Sequence, residues 1–214
     1  MSIRLTHFAN GEYYHVYNRG NSKQCIFFDD QDYTYFQNLL LIMNTSNRLK
    51  TRLVKEGDSE KQNDSLISIG VYCIMPNHFH LVVKQEKEEG VSLFMQKIST
   101  AYAMYFNKKY KRTGSLFEGK FKSKYAGNDR YLKYLFSYVH LNPLKLKHDD
   151  WKYRDIPNND LIYRFLIHYK YSSAGEYAYS RCYIVNKEAF PDYFCDTESF
   201  RKSLFSFIKI KYDD

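Results

Sequence analysis

Apolar residues recur with two different periods along this chain, and the switches between them mark the elements. Glu12–Gly20 is rich in residues that favour strands and ends at a Gly20-Asn21 turn signal. Asp29-Asp30-Gln31-Asp32 then opens a helix, its carboxylates complementing the positive end of the helix dipole, with Tyr33, Phe36, Leu40 and Met43 at helical spacing. Residues 50–65 are polar without periodicity and read as a solvated loop. Two strands follow, Leu66–Ile74 and His78–Gln85, close enough to form a hairpin around Pro76-Asn77. After a polar turn at 86–90, the residues Val91, Phe94, Met95, Ile98, Tyr102, Tyr105 and Phe106 predict an amphipathic helix to Tyr110. A basic exit loop, Lys108–Gly114, leads to an alternating strand over Leu116–Tyr125. Asn128 is placed to cap a helix from Asp129 to about Asn142, where Pro143 stops it.

The order is β-α-β-β-α-β-α. Its first six elements are those of a ferredoxin-like split βαβ layer, so the fold class is α+β: an antiparallel sheet with helices on one face and the other face free for ligands. After Pro143 the pattern weakens. Trp151, Tyr153, Tyr169–Ser173 and a last segment Ser199–Tyr212 read as a mainly helical appendage, which divides the chain into a domain over 1–145 and an appendage over 146–214.

Composition then narrows the partner. Over 214 residues the formal net charge is +8, with 22 Tyr and 16 Phe. Basicity alone is shared between a polyanion-binding surface and a mere solubility charge. The aromatics favour the first, because unpaired bases stack on aromatic faces while cations track phosphates. The four cysteines, Cys25, Cys73, Cys182 and Cys195, have no zinc-ligand spacing and are expected reduced. No apolar leader or membrane-length segment is present, so the expected location is cytoplasmic.

The candidate chemistry lies in Val71–Gln85. On a strand, His78 and His80 point to one face while Phe79 points to the other, which makes half of a metal site. On the helix ending at Pro143, Tyr131, Tyr134, Tyr138 and Asn142 share one face, spaced three, four and four. A hard cation such as Mg²⁺ or Mn²⁺ accepts an amide oxygen beside two imidazoles and keeps positions open for a phosphate oxygen. A tyrosine that attacked such a phosphate would store the bond energy as a covalent phosphotyrosine.

The stretch Met75-Pro76-Asn77-His78-Phe79-His80-Leu81-Val82-Val83 resembles the His-hydrophobic-His strand of single-tyrosine transposases of the HUH superfamily. Tyr14–Asn21, Ser115–Ser123, Tyr138-Val139-His140-Leu141-Asn142-Pro143 and Tyr171-Ser172-Ser173 are similar, in order, to segments of their branch associated with repetitive extragenic palindromes (REP), IS200-like transposases. The resemblance implies a catalytic domain over 1–145 that cleaves and rejoins single-stranded DNA beside hairpins. It implies that Tyr138 attacks to leave a 5′-phosphotyrosine, that His78, His80 and Asn142 hold Mg²⁺ or Mn²⁺, and that basic loops recognise the hairpins. A homodimer is a possible assembly.

Tyr134, one turn before Tyr138, is the second candidate nucleophile; His140 reads as a surface or capping residue. Arg19, Arg112, Lys120 and Lys122 are candidate phosphate contacts. Two rival functions stand beside the transposase: a non-catalytic module that binds single-stranded nucleic acid, and a metal-dependent phosphodiesterase using water.

Overall fold

The computed structural model describes residues 6–46, 64–147, 160–193 and 197–206. All but the last two residues of the loop expected over 50–65 lie outside that set, as do Trp151, Tyr153, Cys195 and the end of the Ser199–Tyr212 segment. Four strands, β1 (Tyr13–Arg19), β2 (Ile67–Met75), β3 (His78–Gln85) and β4 (Lys122–Tyr125), form one sheet in the order β2-β3-β1-β4. Every neighbouring pair is antiparallel, which is the split βαβ arrangement expected from the element order. Tyr17 lies opposite His80, Asn18 opposite Phe79 and Arg19 opposite His78.

Alternation sorts the two faces. Val16, Phe79 and Leu81 point into a core formed with α1 (Asp30–Ile42) and α2 (Gly90–Lys109). There the Phe79 ring meets Phe36 of α1 at 4.8 Å and Phe117 at 6.1 Å. Asp29 caps α1 by accepting from the Asp32 backbone at 3.0 Å. Asp32 does more than complement the dipole. It is wholly buried and accepts from Phe28 N (2.9 Å), Lys109 Nζ (2.7 Å), Tyr110 Oη (2.7 Å) and Tyr105 Oη (3.0 Å), clasping the start of α1 to the end of α2. A buried carboxylate is tolerated only with its lone pairs satisfied in this way.

The opposite face is not left free as expected. α3 (Asp129–Leu141) covers it over β2 and β3, because Leu132, Leu135, Phe136 and Val139 form an apolar stripe that must bury itself. The appendage, α4 (Asp160–Ile167), α5 (Ala174–Ala178) and α6 (Thr197–Ser206), extends that layer. It also closes the β2 edge, since Ile74 N donates to Tyr171 O at 2.9 Å and Ser173 N to Tyr72 O at 3.0 Å. Among the described residues the face stays open toward β4, which is largely exposed.

Two further differences have local causes. The strand expected over Leu116–Tyr125 is regular only in β4. Its first half instead crosses the end of β1, with Glu118 N donating to Arg19 O (3.0 Å) and Asn18 Nδ2 to Gly119 O (3.1 Å). His140 is not on the surface: α3 turns it inward, between the rings of Tyr177 (5.1 Å) and Phe200 (5.2 Å), with Nε2 2.8 Å from Ser173 Oγ. Asn128 Oδ1 caps α3 as expected, accepting from Tyr131 N at 3.2 Å. Past Leu141 the chain does not leave the helix axis at once, since Asn142–Leu146 continues as a 3₁₀ turn with Pro143 near its start, where a missing N–H costs nothing.

Gly70 marks the closest approach of the second layer. A β-carbon there would stand 2.7 Å from the Phe190 ring and 2.8 Å from that of Phe136. Gly70→Ala is therefore expected to lower the unfolding free energy by about 1–3 kcal/mol, the usual cost of overpacking. Chemical denaturation read by fluorescence checks this, and an unchanged midpoint would show that the rings yield freely.

Candidate active site

At the open part of the second face lies a cleft of about 280 Å³. His78 and His80 of β3, Tyr17 and Arg19 of β1 and Tyr138 of α3 line it, together with Lys23, Lys122 and Lys145. The strand alternation that buries Phe79 brings the two imidazoles side by side, ring centroids 5.0 Å apart and nearly perpendicular.

α3 presents its tyrosines as a ladder. Tyr131 stacks on Tyr134 at 6.1 Å and Tyr134 on Tyr138 at 5.7 Å. Only Tyr138 reaches the cleft, where its ring stands edge-on to His80 at 5.7 Å and to His15 at 6.1 Å. Tyr134, the alternative nucleophile, is buried one turn back and does not line the cleft. Asn142, one turn after Tyr138, is wholly buried. Its Nδ2 donates to Tyr138 O at 2.9 Å, while its Oδ1 has no hydrogen-bond partner among the described residues.

Each histidine is held through Nδ1. His78 Nδ1–H donates to Asn77 Oδ1 at 2.6 Å, since an amide oxygen only accepts. His80 Nδ1 lies 2.9 Å from His15 Nε2, both rings buried. The nitrogen each ring would offer a metal is thus Nε2. Burial, reinforced by the nearby Lys145 ammonium, pushes the His78 imidazole down to about 4; the adjacent Asn142 side chain opposes the shift without overcoming it. His78 is therefore neutral at pH 7, the state a ligand requires.

No group of three His, Cys, Asp or Glu side chains able to hold a metal occurs among the described residues. An imidazole pair with an orphaned amide oxygen is nevertheless a donor set that suits a hard divalent cation, and a buried acceptor left unpaired is costly unless something satisfies it. The residues fit Mg²⁺ or Mn²⁺.

The candidate phosphate contacts divide. Lys122 lines the cleft, and so does Arg19, though its Nε and Nη2 are engaged with Glu118 at 2.8 Å each. Lys120 is exposed and not part of the cleft lining. Arg112 is elsewhere, packed over the Phe106 ring with Nη2 donating to Gln24 Oε1 at 3.4 Å, so the basic exit loop braces α2. Sequence reasoning missed Tyr17, Lys23, Lys145 and Glu118 in the cleft, and His15 behind it. His15 was detectable, because the alternation that pairs His78 with His80 also puts His15 and Tyr17 on one face of β1. Lys145 had no periodic signal; the turn after Pro143 carries it back.

Residues 13–142 match the family described as "Transposase IS200 like". A solved structure of a REP-associated tyrosine transposase bound to a REP hairpin shares the fold, with a TM-score of 0.56 at 11% identity, over 88% of this chain and 96% of that one. No curated protein matches significantly. No helix among the described residues is long and apolar enough to cross a membrane.

The buried histidines make stability depend on pH. His78 is pushed down to about 4 and His140, by burial first and Lys187 second, to about 3. Above pH ~6.5 both are neutral folded and unfolded, so neither affects stability. Below it the unfolded chain takes up protons that the fold refuses, and stability falls until the folded values are reached, by up to about 1.4 kcal/mol per pH unit for each histidine. Urea titrations of the metal-free protein should show the loss between pH 6.5 and 4, reduced in His140→Gln; a flat profile over that window would contradict it.

Proposed function

This chain belongs to the IS200-like transposase family, and on that premise we propose that it cleaves and rejoins single-stranded DNA beside hairpins, with Tyr138 as nucleophile. One observation carries the reading: Tyr138 is the α3 tyrosine that reaches the cleft, and it stands there against His80, beside His78 and one turn before the unpaired Asn142 oxygen. The hairpin in the structural relative supports hairpin-bearing DNA as the partner here.

In the proposed step the Tyr138 phenolic oxygen bonds to phosphorus and the bond from phosphorus to the 3′ oxygen breaks. The products are a 5′-phosphotyrosine and a free 3′-hydroxyl, the phenol proton passing to the departing oxygen or to solvent. The reverse attack by a 3′-hydroxyl rejoins a strand and returns the tyrosine. A phenol with an ordinary pKa near 10 is a weak nucleophile at pH 7. Lys122, Lys145 and Lys23 line the same cleft and favour both the phenolate and the incoming phosphate. His78, His80 and Asn142 would hold the Mg²⁺ or Mn²⁺ ion, which when bound polarises the phosphate and neutralises developing charge. The packing of Tyr138 between the tyrosine ladder and two imidazoles limits its rotamers, so orientation is established before substrate arrives.

Two variants test the assignment. With a labelled hairpin-bearing oligonucleotide and Mg²⁺ or Mn²⁺, the wild-type chain should give a covalent adduct on a denaturing gel and Tyr138→Phe none. An undiminished adduct in that variant would assign the attack to another group, and cleavage without any adduct would favour activated water. His78→Ala should lower cleavage by at least 100-fold while oligonucleotide binding changes only a few-fold, because Lys and Arg contacts to phosphates supply most of the affinity. Equal loss of binding and cleavage would contradict a metal-ligand role for His78.

A further inference from the structure

His15 has no part in the chemistry set out above, yet it touches both halves of the site. It stands on β1 two residues before Tyr17, on the sheet face that carries His80, and is buried. Its ring lies 5.1 Å from that of His80 at an interplanar angle of 20°, with Nε2 2.9 Å from His80 Nδ1. The same ring meets Tyr138 edge-on at 6.1 Å, beside the contact that His80 makes at 5.7 Å.

Only one proton can lie between His15 Nε2 and His80 Nδ1, and which ring carries it decides what His80 can do. With the proton on His80 Nδ1, the His80 Nε2 lone pair is available to a cation. With the proton on His15 Nε2, His80 is protonated at Nε2 and cannot act as a ligand. His78 shows the same design with the ambiguity removed, because its Nδ1–H meets Asn77 Oδ1, which cannot donate. His15 thus occupies, for the second histidine, the place that Asn77 occupies for the first.

We propose that His15 is a positioning residue: as acceptor for His80 Nδ1–H it sets the His80 tautomer and ring orientation for metal binding, while its ring edge seats Tyr138. The inference rests on the divalent-metal reading of the cleft. Acceptors behind metal-bound histidines are typically worth 10- to 100-fold in metal affinity.

The test uses the full chain without DNA. In ¹⁵N-histidine-labelled metal-free protein, long-range ¹H–¹⁵N correlation should show His80 protonated at Nδ1 in the wild type and in His15→Gln, whose amide oxygen can accept. In His15→Phe, which keeps the ring but offers no acceptor, the Nε2–H form should gain population. Calorimetry with Mn²⁺ should show binding weakened about 10- to 100-fold in His15→Phe and restored to within a few-fold of wild type in His15→Gln. A wild-type His80 protonated at Nε2 overturns the proposal, as does Mn²⁺ binding in His15→Phe equal to wild type. Should His15→Phe not fold, judged by its circular dichroism in EDTA, the wild-type tautomer and the His15→Gln affinity still decide. A wild type that binds no Mn²⁺ overturns the metal reading itself, and the His15 role with it. A wild type that binds Mn²⁺ with His15→Phe unaffected overturns the His15 role alone.

Discussion

The facing of β3 is the constraint on which the other features depend. Phe79 is wholly buried against Phe36 and Phe117, so β3 cannot shift by one residue without driving His78 and His80 into the α1/α2 core and Phe79 into the cleft. The β2–β3 ladder and the β1–β3 ladder both depend on that register, which sets Arg19 opposite His78 and Tyr17 opposite His80. One apolar side chain therefore determines where two imidazoles, a phenol and a guanidinium emerge. The cost of the wrong register, two polar rings buried without partners, is what makes the arrangement unique.

α3 is the second half of the site, and its placement is a packing problem solved by the appendage. The helix has apolar residues on one side and the tyrosine ladder on the other, so it is buried nearly all round. His140 faces away from the cleft and bonds with Ser173, on the segment that also closes the β2 edge. α6 packs on α3 through Phe200 against His140, and Ser137 Oγ donates to Ser203 O at 3.1 Å. The appendage thus clamps the helix from behind, and the aim of Tyr138 across the sheet follows from that clamp. Buried residues of sheet and appendage belong to one packed core, although the chain's periodicity weakens after Pro143.

What the sequence made legible is what has a short period. Alternation in β3 found the histidine pair, and the three-four-four spacing on α3 found Tyr138 and Asn142 together; both are local rules that tertiary packing did not override. The misses have long-range causes. Nothing in Tyr138–Pro143 tells that α3 lies across the sheet from α1 and α2, so His140 could not be recognised as the buried side of that helix. Arg112 and Lys145 are both basic residues in connections, yet one packs over Phe106 and the other lines the cleft. The difference lies in where each turn returns the chain. Glu118 lies in the part of Leu116–Tyr125 that does not form regular strand, and there its carboxylate folds onto Arg19.

The electrostatics of the cleft bind these pieces into one argument. A cationic lining suited to phosphate is hostile to a second kind of cation, and the proposed divalent ion would have to be held against it. Lys145 shows how the conflict is contained. Its charge, after burial, helps keep the His78 ring neutral, so the ring's lone pair is not taken by a proton at neutral pH. The Glu118 carboxylate works in the other direction by engaging Arg19, which lowers the positive charge at the mouth until a phosphate competes for the same two N–H groups. In the proposed reaction, phosphate entry would convert Arg19 from a partner of Glu118 into a partner of the substrate, and its negative charge would offset the repulsion between Lys145 and the proposed metal on His78.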